Sequence, residues 1–286
     1  MITQTSDQLR HQWQTAGWIS VPGLLDAQRT TRLRIICEYV LAQWRLRNPE
    51  NGESGGFGDA TVMRHLNHPG YFADRREWLL DLLEVVADQA VLNVVGSVLN
   101  DEPLFRCTSL FMNPLETSRD GNWHRDAQFM TRTDDEEQAL LERSLQHETG
   151  GIQLQIALVP SADIEYIPSS HLRWDTPEEY QIRKGDEGRN KRSNSMPGAM
   201  RVSLNPGDAV AFNPMGIHRG RYHADKYRRT LMLTYTATGQ EHTQDYFSFQ
   251  PWYLEPGYLD GLASEARSFF GRFIETYREF WQKPPQ

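Results

Sequence analysis

Asn122-Trp123-His124-Arg125-Asp126-Ala127-Gln128-Phe129 sets two metal-binding side chains two residues apart. Alternate residues of an extended strand point to the same side, so the spacing predicts that the imidazole of His124 and the carboxylate of Asp126 share a face. These are two of the three donors of a 2-His-1-carboxylate triad, which leaves positions on Fe(II) open for a co-substrate and for oxygen. The third donor must be a histidine far along the chain. Alone, the pair is also the pattern of a surface ion pair or of a hydrogen-bonded core histidine, and the surrounding sequence decides between these readings.

On the N-terminal side the chain is helical. Ser6 or Asp7 caps a short helix carrying Leu9, Trp13 and Ala16, and Gly17 stops it before the strand-like Trp18-Ile19-Ser20-Val21. Leu33, Ile36, Cys37, Val40, Leu41 and Trp44 make a continuous apolar stripe. Asn48 to Gly70, with His65 and His68, reads as a loop, and two further helical stretches hold Trp78 to Val86 and Ala90 to Val98. After Pro103 the pattern turns to short β-prone runs: Leu104–Met112, Ile152–Val159, Glu165–Ile167, Met200–Ser203, Ala209–Phe212 and Arg229–Thr238. Helices first and strands afterwards predict an α+β arrangement or a barrel in a helical jacket, and the lack of βαβ alternation counts against a Rossmann sheet. Within Ile152–Leu158, Gln153 and Gln155 share the face opposite the apolar residues, where they either line a wet pocket or meet solvent. Two polar insertions, Thr131–Gly150 and Arg173–Ala199, have the length of lids or of disordered segments. Helical spacing returns from Gly261 to Trp281, with an aromatic stripe suited to packing.

A length of 286 residues fits one domain, with a helical layer at about 6–100 and 261–282 around a β core at about 104–238. The net charge of -8 and pI near 5.6 argue against nucleic-acid binding. The basic run Arg183–Arg192 is interrupted by Gly, Asp, Glu and Asn and reads as a solvated loop rather than a phosphate patch. Two cysteines, Cys37 and Cys107, make no disulfide framework or thiolate metal site. The first residues carry no basic, apolar leader and no later stretch approaches an 18-residue apolar span, so a soluble cytoplasmic protein is expected, its oligomeric state open.

Further along, Gly207-Asp208 and the run Ala209–Phe212 lead to His218, with Arg229 eleven residues beyond. His-x-Asp, a distal histidine and an arginine at this spacing resemble the phytanoyl-CoA dioxygenase family of Fe(II)/2-oxoglutarate oxygenases. The opening Gly17-Trp18-Ile19 and Val21-Pro22-Gly23-Leu24-Leu25, together with the turn Ile167-Pro168-Ser169-Ser170-His171, extend the likeness over most of 6–238. The resemblance implies a double-stranded β-helix, a cupin-like jelly roll. It implies His124, Asp126 and His218 as iron ligands, Arg229 as partner of the distal carboxylate of 2-oxoglutarate, and O2 as oxidant. The family's hydroxyl residue two after the distal histidine is Gly220 here, which leaves Thr108 and Ser109 as candidates for that hydrogen bond and Gln155 as a further pocket residue. His171 reads as structural, and His223 is the rival third ligand.

The reaction expected from the resemblance is hydroxylation of a small molecule with release of succinate and CO2. Desaturation, cyclisation and epimerisation start from the same oxidation, while the retained Asp126 argues against halogenation. A zinc hydrolase or isomerase, or a binding barrel without activity, are the competing classes. The acidic insertion Asp134-Asp135-Glu136-Glu137 suggests a polar or cationic metabolite.

Overall fold

The computed structural model describes residues 5–47, 58–146, 151–240, 242–243 and 245–282. In α1 (Ser6–Ala16) the cap is Thr5, one residue earlier than expected, in a reciprocal capping box with Gln8; Gly17, left-handed at φ 77, closes the helix onto the Trp13 carbonyl. Then come β1 (Trp18–Val21), α2 (Ala27–Leu46, capped by Asp26) and β2 (Val62–Arg64). Helices α3 (Arg76–Val86) and α4 (Gln89–Leu99, capped by Asp88) precede β3 (Pro103–Met112), β4 (Arg119–Asp120) and α5 (Asp134–Gln146). The remainder is β5 (Gly151–Ala157), β6 (Ser161–Tyr166), α6 (Pro177–Arg183), the short turn α7 (Gly185–Gly188), β7 (Met200–Leu204), β8 (Ala209–Phe212), β9 (His218–Tyr222), β10 (Arg229–Ala237) and α8 (Ser264–Gln282).

A six-stranded antiparallel sheet, in the order β1-β8-β5-β10-β3-β2, faces a four-stranded one, β4-β9-β6-β7. This is the jelly roll expected. Helices outweigh strands in residues, because several of them are needed to cover the apolar outer face of the larger sheet. Its outer face carries Ile152, Leu154, Ile156, Leu231 and Leu233, all buried in the core shared with α2, α3, α4 and α8. A smaller core, Ile164, Tyr166, Val202, Val210 and Phe212 among others, lies between the sheets. Each fully buried aliphatic side chain contributes about 1.5–3 kcal/mol, so the helical jacket is a major source of stability and the inner face is left to polar residues.

The sequence pattern missed β2, which joins the edge of the larger sheet, and β9, whose His-Arg-Gly-Arg-Tyr carries none of the apolar alternation that marks a strand. His65, expected in an exposed loop, is buried. By length and composition alone Arg76–Leu99 could cross a membrane, contrary to the expectation; here Asp88 divides it, and Leu82, Val86, Val91 and Val95 are buried in the protein's own core. The insertions are folded where described: α5 lies within Thr131–Gly150, whose residues 147–150 fall outside the described set, and α6 lies within Arg173–Ala199.

Tyr166 is wedged between two glycines: a Cβ at Gly17 would collide with its hydroxyl and with His171 Nδ1, and one at Gly216 with the phenol ring. His171 faces the Gln14 carbonyl at 3.2 Å through Nε2. Gly17→Ala combines this collision with a left-handed backbone and should cost on the order of 2–3 kcal/mol in urea denaturation; an unchanged midpoint would mean that α1 and Tyr166 separate freely.

Candidate metal centre

His124 and His218 are brought side by side by the backbone. Each donates its amide N–H to the other's carbonyl, at 3.1 and 2.9 Å, an isolated antiparallel bridge that sets directly opposed residues on one face. Asp126 lies past that bridge, not on a strand: its amide donates to the Pro214 carbonyl at 2.9 Å and it begins a 3₁₀ turn, Asp126–Phe129. The turn swings its carboxylate back, so Asp126 Oδ1 stands 3.6 Å from the Nε2 of both histidines. These three residues form a cluster whose ligand atoms all lie within 4.8 Å of one another. His223, the rival, faces Asp120 at 2.9 Å instead.

The donor set fits a divalent cation. His124 Nδ1 donates to the Asn122 carbonyl at 2.7 Å and His218 Nδ1 to the Gly216 carbonyl at 2.9 Å, which fixes the tautomer and turns both Nε2 lone pairs toward Asp126. Burial, with His124 as neighbour, pushes the His218 pKa well below its ordinary value, so the ring is the neutral ligand that a metal requires. Burial raises the Asp126 carboxyl, a cost that a bound cation would remove. Gln153 Nε2 donates to Asp126 Oδ2 at 2.6 Å and leaves Oδ1 for the metal.

The residue between the ligands has a different task. Arg125 is fully buried, on the side opposite His124 and Asp126, and its guanidinium binds Asp175 and the carbonyls of Ser170, Met215 and Arg173. Asp175 also takes Arg183, Arg183 takes Glu137 at 2.8 Å, and Lys184 pairs with Glu137 and Asp134. One chain of charges therefore joins both insertions to the segment before His218. Of the acidic insertion, Asp134 and Glu137 are engaged in this chain by Lys184 and Arg183.

Two assigned pocket residues lie elsewhere. Arg229 shares its face with Leu231 and Leu233, the outer face, where its guanidinium is bound by Glu38 of α2 at 2.7 and 3.2 Å and by Asn113 at 2.9 Å. Thr108 stands opposite Leu233 and donates to Asn67 on that same side. Alternation explains both corrections: the residues one position away, Arg228 and Ser109, point between the sheets. Arg228 is buried, stacks on Phe111 and Tyr222 at 5.2 and 4.8 Å, and has Asp163 4.0 Å away. Tyr222 shares the face of His218 and Gly220, and a Cβ at Gly220 would sit 2.5 Å from its hydroxyl, so the phenol fills the place of the absent side chain. Gln155 does line the interior: it is buried, with Oε1 unpartnered and Nε2 3.9 Å from Met232 Sδ.

Substituting His124, Asp126 or His218 by alanine should abolish binding of one Co(II) per chain in equilibrium dialysis, whereas His223→Ala should retain it. Arg125→Met should cost on the order of 3–5 kcal/mol in chemical denaturation, because Asp175 is left buried beside a single arginine; a loss under 1 kcal/mol would show the charge chain to be dispensable.

A family model described as phytanoyl-CoA dioxygenase (PhyH) matches residues 13–230. No curated protein matches. Among solved structures, the non-heme α-ketoglutarate-dependent carbocyclase SnoK from nogalamycin biosynthesis is 16% identical with a TM-score of 0.59, over 92% of this chain and 95% of its own. AviO1 from Streptomyces viridochromogenes Tue57 is 16% identical at 0.58, over 85% and 100%. EctD from S. alaskensis, crystallised with 2-oxoglutarate and 5-hydroxyectoine, is 14% identical at 0.58, over 92% and 86%. With the family model spanning most of the chain and the His-Asp-His cluster in place, the protein belongs to the phytanoyl-CoA dioxygenase family.

Proposed function

We propose that the chain is an Fe(II)- and 2-oxoglutarate-dependent oxygenase that hydroxylates a C–H bond of a small molecule. The His-Asp-His cluster with fixed tautomers carries this reading, because a triad with open positions suits Fe(II) and O2 chemistry. Fe(II) bound there would supply O2 activation coupled to decarboxylation of 2-oxoglutarate, giving succinate and CO2.

The chain's own residues orient the co-substrate. Arg228, not Arg229, is the partner for its distal carboxylate: a guanidinium between the sheets, with its nearest carboxylate 4.0 Å away, is short of negative charge in a poorly hydrated place. It stands along β9 from His218, past Gly220, at about 3.3 Å of rise per residue, a span suited to a short diacid held at the metal by its other end. Tyr222 supplies the hydroxyl that position 220 lacks. Gln153 keeps Asp126 oriented, and the stacked Phe111 and Tyr222 exclude water from the guanidinium.

Anaerobic titration of the Fe(II) protein with 2-oxoglutarate, followed by the charge-transfer absorbance of the chelate, tests the assignment. Arg228→Gln should weaken binding by on the order of 2–4 kcal/mol, as expected when one member of a desolvated charge pair is removed. Arg229→Gln should leave it unchanged, since that side chain serves Glu38. Equal affinities in the wild type and Arg228→Gln would overturn the assignment, and no absorbance in the wild type would overturn the oxygenase reading.

A further inference from the structure

The inner face of the larger sheet carries a second polar row beside the metal centre. In β2, β3, β10 and β5 the directly paired residues are Arg64, Ser109, Met232 and Gln155, so their side chains stand on one face. Gln153, two residues from Gln155 on the same face, holds Asp126. The row therefore runs from the metal ligands to the sheet edge. At the inner end Gln155 Oε1 is buried without a partner, an orphaned acceptor in a pocket wall.

At the outer end two guanidiniums meet over one ring. Arg64 lies 4.8 Å and Arg106 5.4 Å from the centre of Phe247. Arg106 is paired with Asp245, which is itself held by Ser248. Arg64 donates to Ser109 Oγ at 2.8 Å, and among the described residues no carboxylate pairs with it. The remaining titratable neighbour, His65, is kept neutral by burial, its pKa pushed down to about 4. Among the described residues one net positive charge is left at this end of the row. On the other side of the site, Phe129 packs 5.4 Å from the His124 ring and is 70% exposed, with Met130 beside it also exposed. Exposed apolar groups at the rim of a polar cleft mark a binding mouth.

We infer that the row from Gln155 to Arg64 is the substrate floor, and that the substrate is a small carboxylic acid with an apolar body. Its carboxylate pairs with Arg64, its body lies between Phe129 and Phe247, and a donor group of the substrate or of a water it carries reaches Gln155. The forked guanidinium suits a planar carboxylate, and stacking on Phe247 holds the fork in place. The inference rests on the oxygenase reading, in that the bound acid presents a C–H bond to the same metal. It replaces a cationic substrate by an anionic one.

The probe is 3-phenylpropanoate, with neutral 3-phenylpropanamide as its match, each titrated into the anaerobic Fe(II)/2-oxoglutarate protein while perturbation of the charge-transfer band is followed. The wild type should bind the acid at least about tenfold more tightly than the amide, equivalent to about 1.4 kcal/mol. Arg64→Gln should remove that preference with 2-oxoglutarate affinity unchanged, and Arg64→Lys, which keeps the charge, should retain part of it. Equal binding of acid and amide, binding of neither, or a preference that survives in Arg64→Gln overturns the inference. Loss of 2-oxoglutarate affinity in Arg64→Gln also overturns it, by making Arg64 a co-substrate residue. Absence of the band in the wild type is the separate failure of the oxygenase reading.

Discussion

The buried guanidinium of Arg125 ties together the parts of the chain that would otherwise be independent loops. Its carbonyl acceptors lie in the turn around Ser170 and in the segment Asn213–Gly216, and its carboxylate partner Asp175 passes the interaction on to Arg183 and Glu137. A buried charge is expensive unless every donor is used, and here the cost enforces a single arrangement of the surrounding backbone. The metal ligands inherit that arrangement. His124 and Asp126 flank Arg125 in sequence, and His218 follows the segment that Arg125 grips.

The larger sheet separates two kinds of chemistry on its two faces. Outside, leucines and isoleucines pack on helices; inside, Gln153, Gln155, Ser109 and Arg228 face a cleft. A one-residue change in reading therefore moves a residue from scaffold to site. Arg229 and Thr108 belong to the scaffold, Arg228 and Ser109 to the interior.

Much of this was legible in the sequence. The helical stripes of α2, α3, α4 and α8 and the apolar strands β3, β5, β8 and β10 have strong periodicity, and the ligand triad was implied by the family resemblance that His-x-Asp, the distal histidine and the arginine carry. What stayed hidden has physical reasons. Strand β9 is polar because it lines the cleft, and β2 is only three residues long and sits at an edge. The buried role of Arg125 looks like an ordinary exposed arginine until its partners, some 50 and 90 residues away, are brought to it. The resemblance points to Arg229 by its count of residues from His218, whereas alternation along β10 puts Arg229 on the face of Leu231 and Leu233, where Glu38 supplies its carboxylate.

The connection from Tyr222 to Arg228, which passes from the smaller sheet to the larger, makes such counts treacherous. Parity along β10 is fixed by Leu231 and Leu233, which must face the helices, whereas the number of residues back to His218 depends only on how long the surface turn is. Lengthening or shortening that turn by one residue would leave the guanidinium between the sheets where it is and alter its ordinal distance from the histidine. In a comparison of such chains, the residue three before the first core leucine of the last strand is a sounder address for the interior arginine than any fixed interval from the metal.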